Sequence, residues 1–231
     1  MVGESKSYSK YKILEIALLI LTPIFLLIQT FYNSKRTLLP TIVMIIVTII
    51  VFMLGFEKRK VSTVEMTCIV VLSVIGALLR MLSPLPHAIF TTAVVIIGGI
   101  SFGESSGFIT GVFVGILSNM LMGFGPWTPW QIYAWGIIGY IAGLLGKTKL
   151  FEKNIPIIIY GFISGFLYGF ILNIYFVLGL SYDSVVEIIN YFAASLAFEF
   201  THALSTAIFL TLTLYPWRAL IKRIKLKFGE N

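Results

Sequence analysis

Eight apolar stretches separated by short polar or basic breaks make up most of the chain: 13–32, 37–55, 64–81, 88–102, 106–122, 130–146, 156–178 and 190–215. A membrane-crossing α-helix needs about 20 mostly apolar residues. Every stretch except the short fourth one approaches that length. None alternates with the period of two that a membrane barrel requires, and helices satisfy their own backbone groups in hydrocarbon. The pattern therefore predicts an all-α integral membrane protein. The first stretch has the basic start of a signal peptide. Its apolar run is about 20 residues long, contains Pro23 and lacks a small-residue cleavage site, so it reads as a retained span.

Composition agrees with the pattern. Of 231 residues, 58% are hydrophobic and 12% charged, with a mean hydropathy of +0.97. Soluble domains carry about 25% charged residues. The single cysteine, Cys68, lies inside a span and forms no intrachain disulfide.

Charge predicts orientation. With a cytoplasmic N-terminus, all 17 basic residues except Lys35, Arg36 and Arg80 fall on the inner side. The positive-inside rule then predicts eight spans in the plasma membrane with both termini cytoplasmic. The formal net charge of +7 is absorbed by this asymmetry and by attraction to anionic lipid, which leaves no soluble basic face for nucleic acid. Three outer loops result: 82–87, the turn through Gly123–Gln131, and the acidic 179–189 segment with Asp183 and Glu187. Together they are placed to form a lid.

The basic break Glu57-Lys58-Arg59-Lys60 separates two plain Ile/Leu/Val-rich spans from six richer in glycine, tryptophan and polar residues. This divides the chain into a two-span N-terminal extension, 1–60, and a six-span core, 61–231. Two core spans share a stripe: Gly107, Gly111, Gly115 and Asn119, then Gly161, Gly165, Gly169 and Asn173. Small residues at a spacing of four let helix backbones approach closely, and the asparagine can hydrogen-bond across the contact.

Candidate chemistry gathers at the outer end. Gly123-Phe124-Gly125-Pro126-Trp127-Thr128-Pro129-Trp130-Gln131 is stiffened by two prolines, and Trp127, Trp130 and Tyr133 present faces for a flat ligand. An interfacial aromatic belt accounts for the tryptophans alone but not for the prolines or Gln131. The last span aligns Tyr191, Ser195, Glu199, His202 and Thr206 on one helical face. An ionisable group inside a membrane is costly and faces a bundle interior or a site. Glu199 therefore contacts a ligand or is locked to His202 by a hydrogen bond. Arg80 can grip an anionic or amide-bearing ligand or snorkel to the outer headgroups. A bundle di-metal centre needs two Glu-x-x-His copies. Only Glu199-x-x-His202 is present, so no metal is expected. No phosphate-loop, His-Glu-x-x-His or Gly-x-Ser-x-Gly motif occurs, and no cofactor is expected.

Residues 64–215 resemble the substrate-binding membrane subunit (S component) of energy-coupling factor (ECF) transporters. The resemblance rests on the six-span core, the loop 82–87 after its first helix, the Gly-rich third core helix running into Gly125-Pro126-Trp127-Thr128-Pro129-Trp130-Gln131, and chain size. It implies a carrier that binds a vitamin or related micronutrient at its outer face. It also implies partnership with a transmembrane coupling protein and two cytoplasmic ATPases. The implied ligand contacts are Arg80 and His87 near the first loop, Trp130 and Gln131 on the fourth core helix, Asn173 on the fifth, and Glu199 and His202 on the sixth. Family docking uses small residues four apart on the first core helix, which here match Ser73 and Ala77. The aromatic-rich, weakly charged mouth suits a large ring- or amide-bearing ligand, and association with this loop type makes cobalamin or a precursor the first candidate. Two alternatives stand beside this reading: a membrane enzyme using Glu199 and His202, and a non-catalytic scaffold.

Overall fold

A computed structural model of the chain describes residues 2–32, 38–59, 61–81, 89–179 and 184–228. Among them are eight α-helices: α1 (Val2–Tyr32), α2 (Leu38–Lys58), α3 (Thr63–Met81), α4 (Thr91–Phe102), α5 (Glu104–Met122), α6 (Thr128–Leu145), α7 (Asn154–Gly179) and α8 (Val185–Lys227). A short 3₁₀ turn, Lys149–Glu152, joins α6 to α7. The protein is an all-α, multi-pass membrane bundle. By length and composition, α1, α3, α5, α7 and α8 each suffice to cross a bilayer, while the described apolar part of α2 and all of α4 are shorter. Helix α6 falls outside that set because its sequence includes Trp130, Gln131, Tyr133, Trp135 and three glycines, yet most of its residues are buried.

Helix ends depart from the sequence expectation in three places, the first at α1, which begins at Val2 rather than at 13. The expected span 88–102 contains only the 12-residue α4, about 18 Å long at 1.5 Å per residue. The expected span 190–215 is the middle of a 43-residue helix that continues through Pro216 to Lys227. Apolarity marks where lipid ends. A helix rich in Lys, Arg and Leu has the propensity to continue past that point.

The core is the α5–α6 pair, with α4 against both. Gly99 of α4, Gly107 and Gly111 of α5 and Gly139 of α6 form the closest backbone approach: a Cβ on Gly107 would lie 2.2 Å from the Gly139 carbonyl oxygen. Helices α7 and α8 form a second close pair, where a Cβ on Gly165 would lie 2.4 Å from the Ala203 Cα. At Gly115 the neighbour is Ile132, at Gly161 it is Leu210, and at Gly169 it is Glu199. Such contacts bring backbone dipoles and side-chain dispersion together where no hydrophobic drive between helices exists. The α4–α5 turn is made at Gly103, whose φ of 97° suits a residue without a Cβ.

Helices α1 and α2 are wired into this core. The Phe52 ring stacks on Phe108 at 3.8 Å between centroids, with Tyr140 edge-on at 6.2 Å. The Tyr133 hydroxyl donates to the Leu19 carbonyl at 2.9 Å. Glu15 and Glu104 are both nearly inaccessible. Lys12 sits between them, 3.1 Å from Glu15 and 2.8 Å from Glu104, while Lys147 approaches Glu104 at 2.7 Å. Arg59 is part of the same end of the bundle rather than a free break. It donates to the Phe102 carbonyl at 2.9 Å and to Ser106 Oγ at 2.7 Å, and it pairs with Glu65.

Candidate functional site

The two ends of the bundle differ in chemistry. One end is basic, with Lys12, Arg59, Lys147, Arg218 and Lys225. The opposite end carries the Gly123–Gln131 turn. There Gly123 closes α5 with a φ of 101°, its N–H donating to the Asn119 carbonyl at 2.8 Å. The Thr128 hydroxyl oxygen accepts from the Gly125 N–H at 3.0 Å. Pro129 occupies the first turn of α6, where a missing N–H costs nothing. This turn delivers Trp130 and Gln131 into the bundle.

Gln131 is 6% exposed and bridges two helices. It accepts from Asn119 Nδ2 at 3.0 Å and donates to the Tyr168 hydroxyl at 3.1 Å. Tyr168 packs edge-on to the His202 ring at 4.9 Å between centroids, and tilted against Trp135 at 4.9 Å. The Trp135 indole donates to Thr92 Oγ1 at 3.1 Å, which is 2.8 Å from His202 Nε2. Two hydrogen-bonded groups, Asn119–Gln131–Tyr168 and Trp135–Thr92–His202, thus meet through the Tyr168 ring and together join α5, α6, α7, α8 and α4. Among the described residues, Asn119 Oδ1 and His202 Nδ1 are buried in them without a hydrogen-bond partner. Buried polar atoms are satisfied in the great majority of cases, so two unspent atoms in adjoining groups are notable.

Arg80 faces inward. Its guanidinium donates to Ser118 Oγ at 2.8 Å and lies 5.1 Å from the Trp135 ring centroid. Snorkelling to the headgroups is therefore corrected: a hydroxyl and an indole face hold the cation beside the network. The expected Glu199–His202 lock is corrected too. Asn173 Nδ2 and Ser195 Oγ both donate to Glu199 Oε1, at 2.5 and 2.9 Å, so Glu199 ties α8 to α7 while His202 turns to Thr92. Trp130 is 3% exposed and lies 6.2 Å from Tyr175. Trp127 remains at the surface, folded against Gly125. His87, the 82–87 loop and Asp183 lie outside the described residues. Among the described residues no cluster of His, Cys, Asp or Glu is arranged to hold a metal.

Ser73 and Ala77 are 1% and 2% exposed. They face the interior of the bundle, and the outward face of α3 carries Val70, Val71, Val74 and Leu78 instead. A docking surface through Ser73 and Ala77 is closed in this chain, because small residues four apart serve internal packing as well as external contact. Sequence reasoning missed Thr92, Ser118 and Tyr168. Thr92 and Tyr168 carried no motif, and Ser118 stands one position before Asn119, the last member of the glycine–asparagine stripe.

An all-α bundle of apolar helices, with buried polar residues toward one end and a basic rim at the other, defines a multi-pass membrane protein. The chain belongs to the substrate-specific components of ECF transporters: residues 64–217 match the family described as "ECF transporter, substrate-specific component". Such components are transport subunits that work with a transmembrane coupling protein and ATPases. No curated protein and no solved structure matches the chain.

Proposed function

We propose that the chain captures a vitamin or related micronutrient at the end opposite its basic rim and delivers it to an ECF coupling module of one membrane protein and two cytoplasmic ATPases. Both termini are cytoplasmic in this reading, and the capture end faces outward. Residues 1–60 are a two-span extension to a substrate-binding core of 61–231. The observation that carries the reading is the polar chain Asn119–Gln131–Tyr168 with Thr92 and His202. It leaves Asn119 Oδ1 and His202 Nδ1 unspent and has Arg80 beside it, within a core matching the family. A buried set of amide, imidazole, phenol and indole groups suits a ring- or amide-bearing ligand, and cobalamin or a precursor is the first to try.

The test is binding by the purified chain in detergent across a vitamin panel, read as a ligand-dependent rise in Tm and as Kd. A cognate micronutrient at 100 times its Kd is expected to stabilise the fold by about 2.7 kcal/mol. Gln131→Ala and Trp130→Ala are each expected to weaken binding about tenfold or more, the loss of roughly one well-placed contact. Unchanged affinity in both variants would remove the Trp turn from the site.

A further inference from the structure

At the basic end, α8 runs on beyond its apolar stretch and leaves a cleft of about 340 Å³ against the α4 C-terminus and the 3₁₀ turn. Three cations line it: Arg218, Lys222 and Lys225. Their partners are unusual. Arg218 donates to the Glu152 carbonyl and Asn154 Oδ1, both at 2.8 Å, and to the Phe151 carbonyl. Lys225 donates to the Ser101 carbonyl at 2.6 Å. Neutral carbonyls satisfy the N–H groups but cancel no charge. Among the described residues no ion pair engages Arg218, Lys222 or Lys225. Three positive charges therefore converge without a carboxylate. Lys222 itself is solvent-exposed and has no hydrogen-bond partner among the described residues.

The remaining wall is apolar, with Ile100, Phe151 and Leu226. Leu226 is 65% exposed. The cleft lies at the basic end of the bundle, beside the C-terminal, Lys- and Arg-rich part of α8. A phosphoryl group beside cations with an acyl chain along an apolar wall is the chemistry of a phospholipid. Basic pockets between spans at the inner face bind anionic headgroups on this principle.

We propose that this cleft is a site for one anionic phospholipid. Its phosphodiester contacts Lys222 and Lys225, and its first acyl carbons lie along Phe151 and Leu226. Arg218 braces the wall and adds field without donating to the lipid.

The experiment is native mass spectrometry of the purified full-length chain titrated with phosphatidylglycerol, with phosphatidylcholine as the zwitterionic comparison. One phosphatidylglycerol adduct is expected to survive collisional activation that strips phosphatidylcholine. Lys222→Gln is expected to weaken that adduct about fivefold, the loss of roughly one surface cation's attraction to anionic lipid. Arg223→Gln changes an exposed neighbouring cation that does not line the cleft, and it is expected to leave the adduct unchanged. Equal losses in both variants would mean diffuse electrostatics and overturn the site. So would equal retention of phosphatidylcholine. Displacement of the lipid by millimolar inorganic phosphate would reassign the cleft to a free anion.

Discussion

Gly111→Leu is expected to abolish recovery of a monodisperse protein, and Gly111→Ala to lower its Tm by about 10 °C. A Cβ at this position would stand 2.3 Å from the Trp135 carbonyl oxygen and 2.6 Å from the Gly136 nitrogen. Both are backbone atoms of α6 and cannot rotate away. Ordinary overpacking costs about 1–3 kcal/mol because side chains yield; here two helices must separate along the seam from Gly107 to Gly115. At about 2–4 °C per kcal/mol for a chain of this size, the alanine alone reaches that shift. Gly179→Ala is the control, since nothing lies within 4 Å of its Cβ position. Thermal unfolding followed by size-exclusion chromatography decides it. A Gly111→Leu protein that elutes and melts like the parent would mean that α5 and α6 do not meet at this face.

Glu104→Ala is expected to destabilise the fold by about 3 kcal/mol, the second-largest effect. The Glu104 side chain is 7% exposed and receives both Lys12 and Lys147. Removing one member of a buried ion pair strands the other charge, at a typical cost of about 3–5 kcal/mol. The loss falls at the low end because Lys147 is 62% exposed and regains water, and Lys12 keeps Glu15. Glu104→Gln still accepts one hydrogen bond and is expected to lose about half as much. A parent-like melting curve for Glu104→Ala would show that the Lys12–Glu104–Lys147 cluster does not hold α1 to the core.

The eight apolar stretches were legible because a bilayer imposes composition on whatever crosses it. Orientation of individual side chains was not. A polar residue on a membrane helix must face inward, but its partner is chosen by tertiary packing. Glu199 had His202 three residues away and is bonded instead to Asn173, 26 residues distant. Arg80 met Ser118 across 38 residues of chain. In lipid the outer face of a helix is as apolar as its inner face, so Ser73 and Ala77 could be placed on either side by spacing alone. The glycine spacing carried more information, since only a close neighbour explains three glycines in register, and the backbone of α6 and the side chains and backbone of α8 lie against them. The break at 57–60 marked a change in composition but not a physical gap. Arg59 closes it with bonds to α4, α5 and α3.

Helix α8 is a single rod of 43 residues, about 64 Å long, and it is fastened near both ends. Ser195, Glu199 and His202 fix one end to α7 and α4; Arg218 and Lys225 fix the other to the 3₁₀ turn and to Ser101. A screw motion of one residue, about 1.5 Å along the axis and 100° around it, would release both sets of fastenings together. The two sets of bonds thus hold a single helix in one axial register, with Pro216 between them.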